Sequence, residues 1–304
     1  MRTVVTVPET QDQDAGDARD QLRRSGTLRL FRDAAVRLRA AHGTTYARAL
    51  GHSSLLTLIP GVIAVIGLIA VFDLDGFARV LEDAVASFAP GSAGGILTQA
   101  LESAAPSAGP SALVVGLAGM LFSGTVGMTH LERAADRIYG VEEDRSPRER
   151  LGLALVLAAT VEVMLMIGLA VIVAGGKIGE GSDGGAGSGL WSFVRWPVGV
   201  GLVALAMTII FRLVPNRHQP QFSWLLSGTT VSVTAWVAAT ILLGLVYEHA
   251  SLLGDAFGPL IGVVALLVWA YATGLAVLFG LAFAAQLEAE RASQRSRAGD
   301  EASR

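Results

Sequence analysis

Six stretches of this chain are too long and too apolar to form the outside of a water-soluble domain. They run at about 51–72, 111–130, 151–174, 192–211, 222–247 and 258–285, and crossing the hydrocarbon of a bilayer takes roughly 17 to 25 mostly apolar residues. The windows opening at Gly51, Ser111, Phe222 and Gly258 carry no Asp, Glu, Lys or Arg, and between Leu151 and Ala174 the one charged residue is Glu162. In lipid, backbone N–H and C=O groups find partners only within their own segment, so each window predicts a helix. The fold class expected is therefore an all-α integral membrane protein with a bundle of about six transmembrane helices. An even number of crossings puts both termini on one side.

The basic residues say which side. The segments before the first span, between the second and third, between the fourth and fifth, and after the sixth hold 9, 5, 2 and 4 Lys or Arg residues, against three on the other side: Arg79, Lys177 and Arg195. Such a bias marks the basic side as cytoplasmic. The composition agrees with this reading and excludes an ordinary soluble enzyme: 52% of residues are hydrophobic, 16% are charged and mean hydropathy is +0.53. A net charge of -3 supplies no basic surface for nucleic acid. The absence of Cys excludes disulfides, thiolate metal ligands and cysteine nucleophiles. Met1 to Thr10 have no apolar core, so no cleavable signal is expected and the spans direct insertion.

Outside the windows the chain divides further. Residues 1–25 are rich in Asp, Gln and Arg, and predict a disordered cytoplasmic tail. Residues 26–50 predict an amphipathic juxtamembrane helix: Leu28, Phe31, Ala35, Leu38 and His42 recur at helical spacing among Arg29, Arg32, Arg37 and Arg39. That helix either lies on the anionic inner leaflet or is a solvated lead into the first span. Residues 51–287 form the six-helix transmembrane domain and 288–304 a second cytoplasmic tail. In the first outer loop, Phe77, Val80, Leu81, Val85 and Phe88, then Ile96, Leu97 and Leu101, flank the breaker Pro90-Gly91 and predict two short interfacial helices. Gly175 to Gly189 reads as a flexible connector.

Glu162 is the leading candidate for chemistry. At mid-span an ionised carboxylate is costly, so it has to be protonated, paired or wet, either as a proton or cation relay or substrate contact, or as a neutral group bonded to a neighbouring hydroxyl. Ser223, Ser227, Thr230 and Thr234 lie four, three and four residues apart, on one helical face expected to point inward. Helix packing explains such a stripe more simply than a substrate path. Gly258, Gly262, Ala276, Gly280 and Ala284 offer close-packing surfaces in the last span. His42, His52, His130, His218 and His249 show no metal-ligand spacing, and no catalytic elbow or phosphate loop is present. Neither a metal, a cofactor nor an enzymatic activity is expected. The charged inner loop, with Glu132, Arg133, Asp136, Arg137, Glu142, Glu143, Asp144 and Arg145, suggests that the second span continues as helix beyond the membrane and forms a salt-bridge collar with the N-terminal Arg helix.

Three segments carry a family resemblance: Leu55-Leu56-Thr57-Leu58-Ile59-Pro60, the run from Leu131 to Glu142 (LERAADRIYGVE), and Arg212-Leu213-Val214-Pro215-Asn216. With Trp269-Ala270-Tyr271 and Leu278 to Phe283 in the last span, they resemble the YihY/virulence factor BrkB family. Three positions depart from its pattern: His52-Ser53 replaces an aromatic pair, Asp136 stands where Asn is usual, and Ala282 replaces an acidic residue. The resemblance implies a bacterial cytoplasmic-membrane protein linked to envelope functions and suspected of transport, whose partners are membrane lipids and an amphiphilic substrate. The alternative is a non-transporting scaffold or regulator of envelope integrity. The ribonuclease label that follows the family is disfavoured, because the metal-binding cluster and basic RNA surface it needs are absent from the sequence.

Overall fold

The computed structural model describes residues 6–8, 15–72, 109–142, 145–181, 186–220, 222–248 and 259–302. Among them the architecture is all-α, with eight helices. They are α1 (Ala15–Ser25), α2 (Thr27–Ala40), α3 (Gly43–Phe72), α4 (Pro110–Tyr139), α5 (Pro147–Gly181), α6 (Ala186–Leu213), α7 (Phe222–Glu248) and α8 (Pro259–Ala302). Each of the six apolar windows coincides with one helix from α3 to α8. Four of these, α3, α4, α7 and α8, are long and apolar enough to cross a bilayer, and α6 contains a shorter apolar segment, Pro197–Leu213. The two short interfacial helices expected between Asp73 and Pro110 fall outside the described residues.

Local chemistry sets the helix ends. α4 opens on Pro110, where a missing N–H costs nothing, and closes on Gly140, a left-handed residue (φ 68°). The Val141 amide donates back to the Asp136 carbonyl at 2.9 Å, completing the C-terminal cap. α5 opens with a capping box: the Glu149 amide donates to Ser146 Oγ (3.4 Å) and the Ser146 amide to Glu149 Oε2 (3.2 Å).

The most extensive contact joins α3 and α4. Glycines permit it: a Cβ on Gly67 would strike the Leu113 backbone, one on Gly116 the Ala64 backbone, and one on Gly119 would lie 2.8 Å from Pro60 Cβ. α8 packs on α7, α3, α2 and α4, and it is buried at the level of Leu278, Leu281, Ala282, Ala285, Leu287 and Glu288.

Four sequence expectations are revised. Within the tail expected to be disordered, Ala15–Ser25 is helical and Val7 is 3% exposed. The cause is tertiary: Ala18 joins an apolar cluster with Leu30, Ala34, Trp224, Phe283 and Leu287, so ordering these few apolar residues is offset by surface belonging to other helices. On α2 the buried stripe is Leu30, Ala34 and Leu38, whereas Leu28 is 89% exposed. Of the expected stripe, only Leu38 is buried and Ala35 and His42 are exposed; Phe31 lies at its edge against Phe279 and Phe283. The Gly-rich connector is largely absorbed into α5 and α6, which run to Gly181 and from Ala186. Likewise 288–302, expected as a tail, continues α8 as helix.

Candidate functional site

Glu162 lies on the α5 face turned toward α4, and its carboxyl sits directly over Gly124, where any Cβ would collide with Oε1. Ala158, one turn earlier on α5, shares that contact. Both carboxyl oxygens are buried, and neither has a hydrogen-bond partner among the described residues. Thr125 Oγ1 donates to the Leu121 carbonyl (2.6 Å) and Thr160 Oγ1 to the Val156 carbonyl (2.7 Å), each within its own helix. The expected neutral Glu bonded across to a hydroxyl is therefore not what the structure places there.

The hydroxyl stripe on α7 does not point inward. Thr230 and Thr234 are exposed, Thr230 Oγ1 bonding only the Leu226 carbonyl of its own helix (2.7 Å), and Ser227 is half-buried with its hydroxyl on the Trp224 carbonyl (2.7 Å). The Ser223 side chain lies outside the described residues. The inward face is rotated, and carries Leu225, Gly228, Thr229 and Ser232. Ser232 Oγ donates to the Ala276 carbonyl (3.0 Å), and Thr229 and Thr208 share a 3.1 Å hydroxyl contact between α7 and α6. Glu162 and the stripe thus do not form one constellation.

What the chain does gather is a charged network at the end of the bundle where α4 and α6 close and α5 opens. Glu132 and Asp136, one turn apart on α4, are both buried. Arg145 donates to Glu132 Oε2 (3.5 Å) and to the carbonyls of Leu213 (3.0 Å), Val214 (2.7 Å) and Pro215 (3.3 Å). A cation on the orphan carbonyls ending α6 is favourable for hydrogen bonding and for the helix dipole. Arg150 on α5 approaches Glu132 at 3.8 Å and Asp136 at 4.0 Å. Asp136 Oδ1 accepts the Asn216 amide at 2.8 Å. Two of the motif segments, 131–142 and 212–216, are in this way bonded to each other.

A second half of the network centres on Glu288. Its Oε2 meets Arg217 Nη2 at 2.9 Å, with side chains 1% and 3% exposed, and its Oε1 accepts the Tyr139 hydroxyl at 3.3 Å. The Arg217 guanidinium also lies over the Tyr139 ring, 4.7 Å from its centroid. From α2, Arg37 donates to Gln286 Oε1 (3.0 Å) and to the Ile138 carbonyl (3.0 Å). The salt-bridge collar expected between the inner loop and the N-terminal helix is formed differently: Glu132 and Asp136 pair with Arg145 and Arg150, and Arg37 of α2 reaches that loop through the Ile138 backbone carbonyl. Sequence reasoning missed Arg217 and Glu288. A signal existed: Glu288 follows Leu281 and Ala285 at helical spacing, on the buried face of a helix that does not stop at 287.

No group of His, Cys, Asp and Glu among the described residues could hold a metal ion. Arg37, Arg145, Arg150 and Arg217 are engaged by carboxylates and by amide or backbone carbonyls, an arrangement that clamps helices together. The family model described as virulence factor BrkB matches residues 34–304. The chain belongs to that family. Similar curated proteins include the putative ribonuclease-like protein YfkH of Bacillus subtilis, 22% identical over 78% of this chain and 87% of its own length. Another is the UPF0761 membrane protein Rru_A2625 of Rhodospirillum rubrum, 27% identical over 84% of this chain and 58% of its own length. No solved structure matches this BrkB-family chain.

Proposed function

We propose that this BrkB-family protein crosses the bacterial cytoplasmic membrane six times, with both termini inside, and moves or handles an amphiphilic, envelope-related substrate through contacts that include Glu162. It is not an enzyme on this reading, and its partners are lipids and that substrate. The observation carrying the proposal is the Glu162 carboxyl, whose oxygens are buried on α5 against Gly124 with no hydrogen-bond partner among the described residues. A carboxyl left unsatisfied in hydrocarbon costs several kcal/mol unless something transient satisfies it. Such groups inside spans mark proton, ion and substrate pathways. The clustering of Arg37, Arg145, Arg150 and Arg217 at one end of the bundle supports the orientation.

The test is Glu162→Gln introduced into a deletion strain. The variant should assemble in the membrane at the native level yet fail to restore the native distribution of lipids and metabolites across the envelope. Restoration equal to the native protein would instead support a scaffold, the reading favoured by the dry glycine contact between α3 and α4.

A further inference from the structure

The end of the bundle where α4 closes holds a short non-helical segment, residues 6–8. Thr6, Val7 and Pro8 run across the end of α4: the Val7 amide donates to the Tyr139 carbonyl at 3.0 Å, a bond to the residue that closes the helix. Arg217 takes the other edge, Nη1 donating to the Val7 carbonyl (3.0 Å) and Nη2 to the Pro8 carbonyl (3.3 Å). A guanidinium fork suits two successive carbonyls as an ammonium does not. The Val7 side chain joins the apolar cluster that includes Leu38, Ile138, Tyr139 and Val214. Gly140 is required twice over, by its left-handed φ of 68° and by Thr6, whose Cα lies 2.9 Å from where a Cβ would stand. Pro8 needs no partner for an N–H it lacks.

The receptor and the occupant have different standing in the chain. Tyr139, Gly140, Arg217 and Glu288 lie within the region the family model covers, whereas residues 6–8 precede its start at residue 34. We infer that this end of the bundle is a binding cleft for a short non-helical peptide with an apolar central residue, and that in this protein residues 6–8 occupy it as a strap caught by Arg217. Seated there, the strap lies over the Arg217–Glu288–Tyr139 cluster and ties the N-terminal helices to the body.

The chain has no Cys, so single reporters can be placed in the full-length protein in lipid nanodiscs. Val7→Cys should react with a maleimide at least about tenfold more slowly than Leu28→Cys, whose site is open. Adding Arg217→Lys, which keeps the charge beside Glu288 but loses the fork, should bring Val7→Cys to within about threefold of Leu28→Cys without lowering Tm. Equal labelling of the two reporters in the otherwise native sequence overturns the inference. So does protection that survives Arg217→Lys. Because Cys itself could loosen the strap, hydrogen exchange on the unmodified chain is the second readout: slow exchange at the Val7 amide is expected, and free exchange there overturns the inference equally.

Discussion

Arg217 and Glu288 meet at 2.9 Å almost entirely out of water, and the balance of terms there decides what substitution does. Two buried charges that satisfy each other contribute little net stability, but removing one leaves the other desolvated, at a cost of about 3 to 5 kcal/mol. Glu288→Ala should therefore lower Tm strongly, while Arg217→Met combined with Glu288→Leu should recover most of the loss; the measurement is thermal unfolding in detergent. A double variant as unstable as the single one would show that Arg217 matters chiefly through its carbonyl contacts. Asp136 behaves differently. Its Oδ1 accepts one amide and its other oxygen lies 4.0 Å from Arg150, so an amide side chain retains the acceptor and loses a long ion pair. Because Arg150 keeps Glu132 at 3.8 Å, Asp136→Asn should change stability by less than about 1 kcal/mol, near the value of a weak ion pair. At this scale the sequence marked Glu132 and Asp136 because they sit in a charged loop with helical spacing. Helical spacing with Leu281 and Ala285 sets Glu288 on a buried face, but its pairing with Arg217 escaped because the two meet through a tertiary contact 71 residues apart, which no local pattern encodes.

Helix contacts depend on which face of each helix turns inward, and α7 shows why that is hard to read from sequence. Its hydroxyls lie on two nearly opposite faces, Ser227, Thr230 and Thr234 on one and Thr229 and Ser232 on the other, so periodicity alone does not choose. The choice falls to Gly228, whose missing side chain admits the α8 backbone: a Cβ there would stand 2.6 Å from the Gly280 carbonyl oxygen and 2.9 Å from Ala284 Cβ. Backbone contact of this kind is worth more than the hydroxyl bonds around it. Gly228→Ala forces α7 and α8 apart and should cost about 1 to 3 kcal/mol, the usual penalty of overpacking. Ser232→Ala removes one interhelical bond, worth about 0.6 kcal/mol on average in membrane proteins, and Thr230→Val, on the exposed face, should cost nothing measurable. Unfolding titrations of the three variants in mixed micelles check the ranking, and a Thr230→Val loss equal to that of Gly228→Ala would refute the assigned face.

The bundle as a whole was legible where the sequence constraint is absolute: an apolar run in lipid has to be helix, and the six windows are helices. The N-terminal arm was not legible, because Ala15–Ser25 and Thr6–Pro8 order on surfaces supplied by α4, α7 and α8. The number of crossings turns on α5. Its window from Leu151 to Ala174 contains thirteen Leu, Ile and Val residues and one acid. At about 0.3 to 0.6 kcal/mol each, those residues favour insertion by about 4 to 8 kcal/mol, against about 2.5 to 3.5 kcal/mol for an acidic residue at the centre. Insertion wins, so α5 and α6 should both cross and the segment between them should face outward. A membrane-impermeant thiol reagent applied to intact spheroplasts should then label Ser182→Cys as readily as Ser92→Cys, and leave Leu28→Cys untouched until the membrane is opened. If α5 and α6 instead dip in from the cytoplasmic side and return, Ser92→Cys alone reacts from outside, the crossings number four, and Glu162 no longer stands at mid-bilayer depth.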